Sequence, residues 1–226
     1  MSRKREQFIK SYLRLNGYFT VDNFIVHAAD DPSRISDGQV GNYTETDVLA
    51  LRLPHSHEKT GALQIANDPI LTKLAAGRPD LLIAEVKSGD ANKPNKVWRD
   101  GNIPAIEYVV RFFGICADEV EIQEVAKNLA SSFQYERDQY RFRYIVFADN
   151  ANEHYAGKGV AYITFDHVIG FLVDVRGQCW LQADIGVASS HSQWDRLLVD
   201  VFDIANDQSL SSEERKDKIA AMLNST

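Results

Sequence analysis

The chain has 226 residues, 44% of them hydrophobic and 25% charged, with a formal net charge of −7 and two cysteines. That is apolar material for one domain, or one domain with a helical appendage. It excludes a membrane span, since no run of about 18 apolar residues exists, and the net acidity argues against a sequence-blind nucleic-acid coat protein.

Residues 3–15 carry Phe8, Ile9, Tyr12 and Leu13 at helical spacing, with Glu6 at the start of the stripe and Asn16-Gly17 ending it. Tyr18–His27 is aromatic and β-branched and reads as strand one. Residues 28–44, with Pro32, Gly38 and Gly41, read as a loop. Glu45–Leu53 is strand two. Residues 54–78 are an insertion whose patch from Ile70 to Leu74 suggests a short helix, and Leu81–Lys87 is strand three. A Gly-, Asn- and Lys-rich loop, 88–102, leads to helices over Ile103–Phe113 and from Asp118 to about Ser131, the latter with acids in its first turn. Phe142–Ala148 is strand four and Gly159–Phe165 strand five. Asp166 caps a helix reaching about Val175, and Trp194–Ala205 and Ser212–Leu223 are two more.

The most informative stretch is Asp80-Leu81-Leu82-Ile83-Ala84-Glu85-Val86-Lys87-Ser88-Gly89. A strand has period 2, so Glu85 and Lys87 point to one face of a run that is otherwise apolar. Buried charges need a partner or a task. A carboxylate to hold a hard divalent cation, beside an ammonium near the attacking water or the phosphate, is the pair that a metal-dependent phosphodiesterase needs. Asp47, in Glu45-Thr46-Asp47-Val48-Leu49-Ala50-Leu51, lies 38 residues earlier on the preceding strand.

An Asp on one strand, Glu-x-Lys on the next, and Glu6 on the helix before them together resemble the PD-(D/E)XK nucleases, the restriction-endonuclease-like fold. The resemblance covers residues 1 to about 175. It implies an α/β fold with an αβββαβ core, a mixed central sheet flanked by helices, at residues 1–180. Residues 181–226 would be a helical C-terminal extension packed on that core. It implies Mg²⁺ or Mn²⁺ on Asp47, Glu85 and the Val86 carbonyl, Lys87 at the attacking water, and Glu6 completing the acidic cluster. Pro79-Asp80 also spells the family's "PD". Asp80, however, is five residues before Glu85 and faces the other way, so Asp47 is taken as the ligand and Asp80 as a residue at the start of its strand. The expected activity is an Mg-dependent endodeoxyribonuclease of restriction, antiviral defence or repair. The alternative is an inactive nuclease-fold subunit that binds nucleic acid or a partner protein.

Charge distribution agrees with that expectation. Arg3, Lys4, Arg5, Lys10 and Arg14 stand against Glu6 near the N-terminus, and Lys87, Lys93, Lys96 and Arg99 against Asp90 in the middle. The expected partners are nucleic acid, DNA before RNA, with a partner protein supplying target choice and a homodimer allowed. Cys116 and Cys179 form no ligand pattern, and no apolar signal region follows the N-terminus, which predicts a reducing, cytoplasmic setting. The sequon Asn42-Tyr43-Thr44 is then a chance match. His55-Ser56-His57-Glu58 lacks a third ligand and reads as a polar loop. Gly157-Lys158-Gly159 reads as a turn, and Ser189-Ser190-His191-Ser192 as a helix start. Trp98, Trp180 and Trp194 read as packing residues, and Glu45 as an acid on the same strand face as Asp47.

Overall fold

The computed structural model describes residues 3–27, 42–60, 62–72, 77–89, 92–182 and 195–225. The chain starts with helix α1 (Arg3–Leu15), whose expected stripe of Phe8, Ile9, Tyr12 and Leu13 is buried. Strands β1 (Tyr18–His27) and β2 (Asn42–Arg52) follow, then a small hairpin, β3 (Glu58–Thr60) and β4 (Leu63–Ile65), and a single helical turn, α2 (Pro69–Thr72). Next come β5 (Asp80–Val86), α3 (Lys96–Arg99), α4 (Ile103–Phe113), α5 (Glu119–Ser132), β6 (Gln134–Glu136) and β7 (Arg141–Ala148). After α6 (Glu153–Ala156) and β8 (Ala161–Thr164), α7 (Phe165–Gly170) passes through a π-helical segment, Phe171–Arg176, into α8 (Gly177–Gln182). Helices α9 (Arg196–Ala205) and α10 (Ser212–Asn224) end the described chain.

The main sheet runs β1-β2-β5-β7-β6, with β8 also on β7. Strands β1, β2 and β5 form an antiparallel meander. The chain then crosses through α4 and α5 to β7, which lies parallel to β5. Beyond β7, β6 pairs antiparallel with its first residues and β8 parallel with its last. The protein is thus mixed α/β, with a mixed central sheet and helices on both faces. Every residue of β5 is buried, as a strand covered on both sides requires.

The two faces have separate cores. Leu82, Ala84, Val86, Ile145 and Phe147 pack with Phe8, Tyr12, Trp180, Val201, Phe202, Ile219 and Leu223. Leu81, Ile83, Phe142, Tyr144 and Val146 pack with Ile106, Val110, Val125 and Leu129 of α4 and α5. The C-terminal helices therefore complete the core under α1. The helix Gly177–Gln182 runs across the expected boundary at 180/181.

Several local expectations shift. Strand two begins at Asn42, so the tail of the expected loop is strand. The hairpin β3–β4 and strand β6 lie where no strand was expected. Thr164, not Asp166, caps α7, its side chain accepting from the His167 N–H. Residues 28–41 of the expected loop 28–44, and the expected helix start at 189–192 with Trp194, lie outside the described residues. Gly17, with φ +83°, does what no other residue does easily there: an added Cβ would sit 2.8 Å from Ser56 Cβ. Asn23 is left-handed too, at φ 52°. Tyr18 packs under α1 whereas Phe24, also even-numbered, packs on Tyr108 and Phe112 of α4. Period 2 is broken between them, and Asn23 is where β1 turns over.

Candidate metal centre

The candidate site lies where two strands separate. Strand β2 pairs with β5 from Arg52↔Asp80 to Val48↔Ala84, and the pairing stops there. Asp47 is the next residue of β2. Its Oδ2 accepts the Val86 N–H at 2.6 Å, so its carboxylate fills the fork between the strands. Glu85 and Lys87 share a face, as the strand period requires, and the Lys87 ammonium pairs with Glu85 Oε1. Glu85 Oε2 accepts from the Tyr144 hydroxyl at 2.9 Å. Glu85 is only 2% exposed.

Two carboxylates thus meet at one end of β5 with a single ammonium between them. The cost falls on Asp47, whose carboxyl is pushed up to about 7, first by burial and next by the charge of Glu85. The Val86 N–H and Lys87 oppose the rise, and Glu6 adds to it. Glu6 is raised as well, by burial and then by Glu45. Glu6, Glu45 and Asp47 line one cleft of about 660 Å³ with Arg3, Gln7, Lys10, Asp22 and Asn23. Lys10 pairs with Asp22 at 2.9 Å.

The donor set suits a hard cation. All the donors are oxygens, and a divalent ion would relieve the repulsion between Asp47 and Glu85. The residues present therefore fit Mg²⁺ or Mn²⁺ in kind. They are not preformed as a three-group cage: among the described residues, no three His, Cys, Asp or Glu side chains stand ready to hold a metal ion. Both oxygens of Glu85 are already engaged.

Asp80, at the other end of β5, sits on the opposite face, fully buried. Its Oδ1 accepts from Arg141 Nε and Arg143 Nε, each at 3.0 Å, and its Oδ2 from Arg143 Nη2 and from the Tyr18 hydroxyl at 2.5 Å. Burial and the Asp80 charge hold the Tyr18 phenol above its ordinary range. Two guanidiniums answer one carboxylate here, which fits a structural tie.

The basic residues divide. Arg3 lines the cleft, but Arg5 turns inward, pairing with both oxygens of Asp149 at 3.0 Å and reaching Asn224 at 2.5 Å. Asp149 also accepts the Gly89 N–H, tying down the turn after Lys87. Lys93, Lys96 and Arg99 are exposed and lie outside the described lining of the cleft. His55 and His57 are exposed, with His57 Nδ1 2.7 Å from the His55 carbonyl. Trp98 and Trp180 are buried packing residues, as expected. Sequence reasoning missed Tyr144, an aromatic in an apolar strand with no local mark of its role. It also missed the buried Asp68, which accepts from Tyr12 at 2.7 Å and lies 2.8 Å from His167 Nε2. The chain matches no family model, no curated protein and no solved structure.

Proposed function

We infer that the chain is a metal-dependent phosphodiesterase, a DNA endonuclease of the PD-(D/E)XK kind. One observation carries the reading: Asp47, Glu85 and Lys87 meet at the β2–β5 fork with one positive charge too few. The element order supports it, since a helix, a three-strand meander, a helical crossover and a parallel strand follow in the expected αβββαβ sequence. Asp47, Glu85 and the Val86 carbonyl would hold Mg²⁺ or Mn²⁺. Such an ion supplies Lewis acidity and a more acidic bound water.

The remaining work falls to side chains. Lys87 exchanges Glu85 Oε1 for a phosphate oxygen and offsets charge that grows as water attacks phosphorus and the P–O ester bond breaks. Asp47 keeps its hold on the Val86 N–H, which fixes the fork while Lys87 moves. Glu6, in the same cleft, orients the water or takes its proton. Arg3 and Lys10 neutralise flanking phosphates, with Lys93, Lys96 and Arg99 extending the basic path. A second reading is favoured by the engaged, nearly inaccessible Glu85: an inactive nuclease-fold subunit that binds nucleic acid or a partner protein. Incubation of plasmid DNA with Mg²⁺ or Mn²⁺ separates the two. The first predicts nicked product, lost in Asp47→Ala. Binding without cleavage, in every nucleic-acid form tried, supports the second.

A further inference from the structure

The Glu85 carboxylate has two oxygens and two partners of different character. Lys87, on Oε1, is a flexible cation that the chemistry above needs at the phosphate. Tyr144, on Oε2, is a rigid ring on the central strand β7. The ring is itself fixed. Trp98 lies on it with centroids 4.9 Å apart, and Phe133 with centroids 5.8 Å apart. The Tyr144 hydroxyl oxygen also accepts the Asn95 N–H at 3.3 Å.

Asn95 opens the basic turn α3. Its carbonyl accepts from the N–H groups of Trp98 at 3.1 Å and Arg99 at 2.9 Å. Its side chain donates to Thr44 Oγ1 at 2.7 Å, on the strand that carries Asp47. One hydroxyl thus touches both a carboxylate of the site and the first residue of the segment that bears Lys96 and Arg99. A tyrosine needed only for packing could be a phenylalanine, since ring contacts alone fill that space.

We propose that Tyr144 is a positioning residue: its hydroxyl fixes the Glu85 carboxylate in one rotamer when Lys87 leaves it, and through Asn95 it couples the basic segment 95–99 to that carboxylate. The inference rests on Glu85 being a metal carboxylate, and deepens that reading. Groups that hold a metal ligand from behind typically affect metal affinity by about 10-fold to 100-fold.

The test uses the full chain in three forms: wild type, Tyr144→Phe and Trp98→Phe. Three measurements are made on each: melting temperature, three-bond couplings of the Glu85 side chain in metal-free, glutamate-labelled protein that also carries Lys87→Ala, so that the lysine no longer holds Oε1, and Mn²⁺ affinity by calorimetry. Both variants melt lower. Only Tyr144→Phe averages the Glu85 rotamer, and only Tyr144→Phe weakens Mn²⁺ binding, by about 10-fold to 100-fold. A single Glu85 rotamer in folded Tyr144→Phe overturns the proposal, as does equal loss of Mn²⁺ affinity in both variants. If wild type shows one Glu85 rotamer that Tyr144→Phe loses, yet takes up no Mn²⁺, the positioning stands and the metal reading falls. Asn95→Pro, compatible with the Asn95 φ of −56°, removes the N–H that the Tyr144 hydroxyl accepts, spares the Tyr144–Glu85 bond and guards against a Tyr144 variant that does not fold. It should weaken Mn²⁺ less, in the same direction, and unchanged affinity there overturns the coupling.

Discussion

The two ends of strand β5 hold the same ingredients in opposite proportion. At its start, Asp80 is matched by Arg141, Arg143 and Tyr18. At its end, Glu85 and Asp47 share Lys87, and Asp47 is driven towards neutrality. Both sites are buried, so both bear the cost of desolvating charge. Only the first has enough counter-charge to offset it. A carboxylate with surplus counter-charge holds a fold together, while two carboxylates short of it would be stabilised by a cation, as the proposed function requires.

The largest expected effect is on stability, at the Asp80 end. Asp80→Asn leaves two buried guanidiniums without their anion, which typically costs about 3–5 kcal/mol. Urea unfolding should show that loss, and the residual folded protein at low temperature should still cleave DNA. A stable but inactive Asp80→Asn would invert the comparison and make Asp80 the ligand. Next is Lys87→Ala at the other end. Losing one preorganised donor to the transition state costs on the order of 100-fold to 1000-fold in rate. Single-turnover cleavage should fall by that factor with substrate affinity little changed, as for an interaction made only in the transition state. Normal cleavage would remove Lys87 from the chemistry.

How much of this contrast was legible beforehand depends on the range of the interaction. The α1 stripe, the pairing of Glu85 with Lys87 and the opposite facing of Asp80 all follow from periods of 3.6 and 2, which a single segment displays. Asp47 was readable because it sits on the neighbouring strand in the right order. Arg141 and Arg143 carried the same every-other-residue mark as Glu85 and Lys87, at the start of another apolar strand. Their link to Asp80 needed the parallel register Asp80↔Arg141, which no local pattern contains. Strands β3, β4 and β6 have three residues each, too few to show a period, and exist because a neighbour pairs with them. Tyr144 and Arg5 are set by partners 59 and 144 residues away. The bend in β1 turns on Asn23, an ordinary residue in an unusual conformation.

The smallest expected effect concerns the path of the nucleic acid. Each lost phosphate contact should flatten the slope of log affinity against log salt by roughly 0.9 for duplex DNA. Arg3→Ala tests the cleft, and Lys93→Ala with Lys96→Ala tests the outer segment. A change of about one contact in the first and two in the second would place both on the path. A slope unchanged in either would take that group off it.

The deficit of positive charge at the fork is tested most directly by unfolding free energy against pH, with and without Mn²⁺, for wild type and Asp47→Asn. A carboxyl raised to about 7 in the folded protein contributes stability that is complete below the unfolded value of about 4 and is lost as pH rises through the folded one. Metal-free wild type should therefore lose on the order of 1–3 kcal/mol between about pH 4 and pH 8 relative to Asp47→Asn. Mn²⁺ should restore that stability in wild type above pH 7 and do nothing for Asp47→Asn. Parallel pH curves for the two proteins, or no gain from Mn²⁺ in wild type, would contradict the account.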